Sequence, residues 1–266
     1  MVCSFIESEG MKYAYDSKLS NYFYGMYDND PKEKSNLITT MRTQAITSKN
    51  TNQYISDIHI VTKPGISMIT SSGSTYGGSE HDGIFTVYKE SVADESGKGI
   101  KRWIDDHTVL DEAIGLKKDS YIMAYQLLSQ KSNACVVVDI KPSSIQDLIG
   151  QIDLGDGSIV GFVTKNGREL INENLKEGES SILTEGENVF YGQEFFPDVA
   201  SMTEDENGVK QITYHGQKYQ FFYSTSVRMG STVCAMVPVY TIVKQAETIR
   251  SITVILVVLA CIVALT

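Results

Sequence analysis

Apolar positions change their spacing several times along the chain, and each change marks an element. Over residues 4–48, Phe5, Tyr13, Leu19, Tyr22, Phe23 and Met26, then Leu37, Ile38, Met41 and Ala45, recur at intervals near three and four, the period of an amphipathic helix. Asp30-Pro31 interrupts the run, with Pro31 suited to a first helical turn, so the region is one broken helix or two stacked ones. The period then shortens. Ile55, Ile58 and Ile60, followed by Met68 and Ile69, form two short strand-like runs around the turn residues Lys63-Pro64-Gly65. A loop rich in Ser and Gly covers 71–83, and 100–115 is expected to be helical around Trp103 and Leu110. Residues 121–126 and 135–140 read as strands of β-branched and aromatic residues. Residues 142–152 read as a helix, with Pro142 early, Ser143 and Ser144 near the cap, and Ile145, Leu148, Ile149 and Ile152 on one face.

A second round begins at Gly155-Asp156-Gly157. Residues 158–164 form a strand, Lys165-Asn166-Gly167 a hairpin turn and 168–171 the next strand. Loop and helix fill 172–208, and strand-like runs follow at 211–214, 218–227 and 232–239, with turns at His215-Gly216 and Met229-Gly230. From 239 to 250 the chain leads as helix into an apolar run. The expected organisation is α+β: an N-terminal helical stalk (1–50), one small unit (51–150), a second of the same layout (151–240), and an exit helix with a membrane segment (241–266). The strands come as hairpins, which predicts antiparallel sheets with helices segregated to one side.

Residues 251–266 are uncharged and apolar all round. A bilayer needs about 20 such residues, and a buried C-terminal core helix would show a polar face. The run is uncharged to its last residue, which reads as a truncated transmembrane helix. Lys244 and Arg250 precede it, but without the other flank they do not orient it. Met1–Gly10 lacks the basic and apolar regions of a signal peptide, so an exported chain would require a preceding signal or anchor. The expected location is the cell membrane, with the folded part extracytoplasmic.

Composition narrows the classes further. With 42% hydrophobic and 21% charged residues the chain can build a sizeable core. Its net charge of -10, without a basic stripe, argues against nucleic acid. Cys3, Cys135, Cys234 and Cys261 are too scattered for a zinc site or a disulfide framework, and are expected to act as small hydrophobes. No cofactor or metal is expected.

The order NQYISDIHIV, RWIDD, SYIMAYQLL, ACVVVDIKPSSIQDLIG, SIVGFVTKNGREL and STVCAMVPVYTIVKQ resembles the double-Cache family of sensor domains in bacterial chemoreceptors, sensor kinases and cyclases. The resemblance spans roughly the whole chain and implies two PAS-like antiparallel-sheet units on a long N-terminal helix. It also implies a small ligand (an organic acid, amine or amino acid) in the membrane-distal unit, and a homodimer. Amino-acid-binding members hold the carboxylate with an Arg-x-Trp-Tyr motif and a later Tyr, and the ammonium with two Asp. Here Lys101 stands where Arg is expected and Ile104 where Tyr is; Tyr121 matches the later Tyr, Met123 replaces the first Asp, and Asp139 matches the second.

Read on their own chemistry, Lys101 or Arg102 beside Trp103 would clamp an anion against an indole wall, or form a surface cation next to a core tryptophan. Tyr121 and Tyr125, four apart on a strand, share one face that lines either a pocket or the core. Asp139 ends an apolar strand, where it would pair with a ligand ammonium or cap the next helix. Asp105, Asp106, His107 and Asp111 read as solvated surface, and His59, His81 and His215 as isolated. No nucleophile elbow, zinc motif or phosphate loop occurs. The expectation is a non-enzymatic sensing domain of a transmembrane receptor, a methyl-accepting chemotaxis protein ahead of a histidine kinase or diguanylate cyclase. A membrane-tethered hydrolase or a structural surface module are the alternatives from other classes.

Overall fold

The computed structural model describes residues 2–63, 68–72, 83–93, 100–129, 133–175, 181–184 and 186–244. The chain opens on three helices rather than one or two: α1 (Val2–Ala14), α2 (Ser17–Phe23) and α3 (Pro31–Thr51). The breaks fall at capping residues. Asp16 accepts from Leu19 N at 2.8 Å and Asp30 from Glu33 N at 3.0 Å, each satisfying a backbone donor at a helix start. The buried stripe of α3 is Leu37, Met41 and Ala45, four apart throughout. In α1, Gly10 permits close approach, since a Cβ there would lie 3.1 Å from the Tyr125 ring.

The remaining chain builds two five-stranded antiparallel sheets. The first contains β1 (Ile55–Thr62), β2 (Ile69–Thr70), β3 (Lys101–Ile104), β4 (Met123–Leu128) and β5 (Ala134–Ile140) in the order β2-β1-β5-β4-β3. The second contains β6 (Ile159–Thr164), β7 (Glu169–Glu173), β8 (Glu206–Tyr214), β9 (Gln217–Ser226) and β10 (Ser231–Pro238) in the order β7-β6-β10-β9-β8. Counted within each unit the order is the same, 2-1-5-4-3, so the layout used twice is one topology used twice.

Helices α4 (Ile84–Val92) and α5 (Thr108–Ile114) cover one face of the first sheet, and α1 and α3 the other. Helix α6 (Pro142–Gly150) leads to the second sheet and packs on β6 and β7. The core between the first sheet and α1–α3 continues past α6 to Val160, Phe162 and Ala235, so it joins both units.

Several expectations are corrected here. The stretch around Trp103 is an edge strand, β3, and only 108–114 is helix: β4 supplies the backbone partners of Lys101 to Ile104. Helix α4 was missed, although Ile84, Phe85, Tyr88 and Val92 carry a helical spacing. No helix occurs among the described residues of 172–208. The N-cap of α6 is Lys141 with no side-chain capping bond, and the Ser144 hydroxyl instead donates to Gln53 O. The expected membrane segment, 251–266, lies outside the described residues, as do most of the 71–83 loop, His81, Cys261, and Pro64 and Gly65 of the first turn. Among the described residues no helix is long and apolar enough to cross a membrane. Cys3, Cys135 and Cys234 are free thiols, the last two buried as expected.

Candidate functional site

Each strand of the first sheet presents alternate side chains to its two faces. Trp103 and Tyr125 face α1: their rings lie 5.1 Å apart, and Trp103 Nε1 donates to Glu7 of α1 at 3.3 Å. Arg102 and Gln126, directly paired across β3 and β4, face α4. There Arg102 Nη1 donates to Ser91 O at 2.7 Å, and Gln126 Oε1 accepts from Ser91 Oγ at 3.0 Å. A cavity of about 390 Å³ lies on this face beside Val87, Tyr88 and the 105–109 segment. Its other wall comes from the second unit: Lys165 and Asn166 of the β6–β7 turn, and Met229 and Gly230 of the β9–β10 turn.

Beside the cavity runs a buried polar network. Asp139 is fully buried, with His59 Nε2 at 3.1 Å on one oxygen and His107 Nε2 at 2.9 Å on the other. His59 Nδ1 meets Thr70 Oγ1 at 2.6 Å. His107 Nδ1 lies 2.9 Å from Asp111 Oδ1, an ion-pair distance without the alignment of a hydrogen bond, and Tyr121 OH donates to Asp111 Oδ2 at 2.9 Å. The His107 ring stacks on Tyr121 at 3.9 Å. Burial alone would push the His107 imidazole down, but the Asp139 carboxylate and the contacts with Asp111 overcome it and hold the group up at about 10. Burial likewise opposes the Asp139 charge, and the two histidines outweigh it, leaving the carboxyl well below the usual range. Asp139, His59 and Thr70 form the chain of a hydrolytic triad, yet all three are 0% exposed, so the hydroxyl has no route to a substrate.

Arg168, just before β7, locks this corner to the second unit. Its Nη1 donates to Asp105 O at 3.0 Å and Ile122 O at 3.2 Å, and its Nη2 to Lys118 O at 2.9 Å and to Tyr121 O. The guanidinium stands 5.0 Å over the Tyr121 ring. Asn166 adds two bonds to the Asp105 carboxylate, from its backbone N at 2.9 Å and its Nδ2 at 2.6 Å.

The predicted residues therefore separate. Lys101 is exposed and lies outside the cavity lining. Arg102 lines the cavity. Trp103 belongs to the lining too, but its indole is spent on α1. Tyr121 and Tyr125 do not share a face: Ile122 and Met123 both enter the core on the α1–α3 side, which breaks the alternation between them and sends Tyr121 to α5 and Tyr125 to α1. Asp139 does not cap α6, because both its oxygens serve histidines. Asp105, His107 and Asp111 are buried rather than solvated surface, and His59 is a partner of Asp139 rather than isolated. Gln126, Asn166 and Arg168 carried no motif. For His59 there was a signal: Asp57 and His59 place ionisable groups among Ile55, Ile58, Ile60 and Val61, and a polar group buried there must find a partner. Among the described residues no group of His, Cys, Asp and Glu is arranged to hold a metal.

No family model matches the chain, and no curated protein does. Solved structures do. The extracellular domain assigned to histidine kinase vpHK1S-Z8 aligns with a TM-score of 0.50 at 12% identity, covering 91% of this chain and 91% of that one. The sensory domain of the Campylobacter jejuni chemoreceptor Tlp3 (CcmL) aligns at 0.49 and 10% identity, covering 91% and 89%. The sensor domain of the V. cholerae histidine kinase DctB aligns at 0.48 and 10%, covering 89% and 91%. The fold is shared with the extracellular domain of vpHK1S-Z8. Within it, the cavity lies on the first sheet, and the second unit supplies one of its walls.

Proposed function

We propose that the chain is the extracytoplasmic input domain of a bacterial membrane signalling receptor, and that it binds a small molecule in the cavity between α4, the first sheet and the two turns of the second unit. The observation that carries this reading is the shared construction of the cavity. An occupant would touch Arg102 and Gln126 of one unit and Lys165 and Asn166 of the other, so its binding free energy would bear directly on how the units sit together. Of the residues named from sequence, Arg102 is assigned to ligand contact. Trp103, Tyr121, Tyr125 and Asp139 are assigned to building the walls, and Lys101 to the surface. Within this reading our assignment is a methyl-accepting chemotaxis protein acting as a homodimer at the cell membrane; sensor kinase and cyclase inputs are the alternatives.

A thermal-shift screen of organic acids, amino acids, amines and purines tests the reading. A true ligand at a hundred times its Kd stabilises the fold by about 2.7 kcal/mol. Silence across all four classes would favour a structural module instead.

A further inference from the structure

A second cleft, of about 500 Å³, opens between the units on the side of α1. Helix α6 presents Ile145, Ile149 and Ile152 to it, the second sheet Phe162 and Val233, and α1 the Cys3 thiol. Met229 lines both this cleft and the cavity beside Arg102, so the two are neighbours. Small-molecule sites have volumes of roughly 300–1,000 Å³ and are built this way, from apolar walls with a few convergent polar groups.

The polar groups here are few, and all but one are uncharged. Asn207, Ser224, Ser226 and Ser231 belong to the lining. Ser231 is only 4% exposed, its Oγ has no hydrogen-bond partner among the described residues, and that oxygen is not sealed away from the cleft. A hydroxyl so far withdrawn from water needs a partner, and the open side of this one is the cleft. It can turn to donate or to accept. The one charged side chain of the lining is Asp205, exposed at the rim, with Oδ1 accepting from Val227 N at 2.8 Å. Its charge repels an anion, and no Lys, Arg or His lines the cleft to hold one. A cation would have to leave water for isoleucine walls, with a single solvent-screened carboxylate as its answer.

We propose that this cleft is a second small-molecule site, separate from the cavity beside Arg102, and that it takes a neutral, mainly apolar molecule carrying one hydroxyl or carbonyl group. Ser231 anchors the polar end, and the apolar body lies between α6, Phe162 and Val233. The site does not depend on what the first cavity binds.

Calorimetric titration of the full chain with 3-phenylpropan-1-ol, 3-phenylpropanoate and 3-phenylpropylammonium, which share one frame and differ in charge, tests the proposal. The alcohol should bind about tenfold or more tighter than either ion, and about tenfold tighter than benzyl alcohol, which is two methylenes shorter. Cys3 reports the location, because it is the half-buried thiol of this lining. The bound alcohol should slow alkylation of Cys3 by iodoacetamide, read by mass spectrometry on the peptide that contains it. Val233→Asp places a carboxylate at a wall position already 43% exposed and should weaken the alcohol by about tenfold or more. Ser231→Ala removes one hydrogen bond and should weaken it by about fivefold. Unliganded unfolding midpoints check that both variants fold. No binding of the alcohol, a charged counterpart that binds as tightly, a Cys3 that reacts at its free rate with the alcohol bound, or full affinity in either variant would overturn the proposal. Each of these outcomes leaves the sensor reading and the cavity beside Arg102 as they stand.

Discussion

At the scale of the residue, Asp139 shows how a buried charge is kept. A carboxylate without solvent needs compensation, and here two imidazoles supply it, with Asp111 behind one of them. The sign of the pH dependence follows from His107, whose value is raised from 6.5 to about 10 on folding. A raised cationic group contributes stability that is fully present below its unfolded value and is lost as pH rises through the folded one. Asp139, lowered on folding, contributes stability that is present above its unfolded value and fades as pH falls through the folded one. Urea unfolding across pH should therefore show stability declining from about pH 6.5 toward 10. His107→Gln should cost roughly 3–5 kcal/mol near neutrality, because it removes the charged partner of one Asp139 oxygen and leaves His59 alone to answer a buried carboxylate, and should flatten the alkaline decline. An unchanged alkaline slope in that variant would remove His107 from the account.

At the scale of the element, the β6–β7 hairpin is the joint between the units. Gly167 adopts φ +84, and a Cβ there would sit 2.5 Å from the Tyr191 ring, so only glycine turns the chain tightly enough to bring Asn166 and Arg168 to the same corner. Arg168 then serves four carbonyls around the 105–122 segment, a fork that a lysine ammonium cannot reproduce. Arg168→Ala should cost roughly 2–4 kcal/mol, as charge-assisted bonds lost together are not additive. Hydrogen exchange should rise at residues 105–107 and 118–122, and Arg168→Lys should restore less than half of the protection. Protection equal to wild type in Arg168→Ala would mean that the units are held together by the shared core alone. A second tie runs through α1, where Glu7 accepts from Trp103 of the first unit and from Arg228 beside the β9–β10 turn.

At the scale of the whole molecule, one continuous core joins the two sheets, and the last described helical residues, 239–244, continue directly from β10. A change at the cavity wall formed by Met229 and Gly230 is therefore one strand away from the exit of the chain. The uncharged run of 251–266 bears on the membrane assignment through its solution behaviour. The full chain should float with lipid vesicles and require detergent, while a chain ending at Lys244 should be monodisperse without it and keep its unfolding midpoint. A full chain that stays in the aqueous fraction, unaided by detergent, would place those residues inside the protein's own core.

The sequence by itself determined most of the strands, the helical N-terminal region, the glycine turns and the repetition of one layout. These depend on local spacing and turn chemistry, which a linear reading measures directly. Tertiary structure alone decided which face of the first sheet meets α1 and α3 and which meets α4 and the cavity. Most strands of that sheet are buried on both faces, so apolar residues point both ways and carry no alternation to orient them. It alone also joined His59 to Asp139, His107 to Asp139 and Arg168 to Asp105 across separations of 80, 32 and 63 residues. Asp139 was legible as a residue of consequence, but its partners were not, because a buried charge states only that something must answer it, and the fold chooses what does.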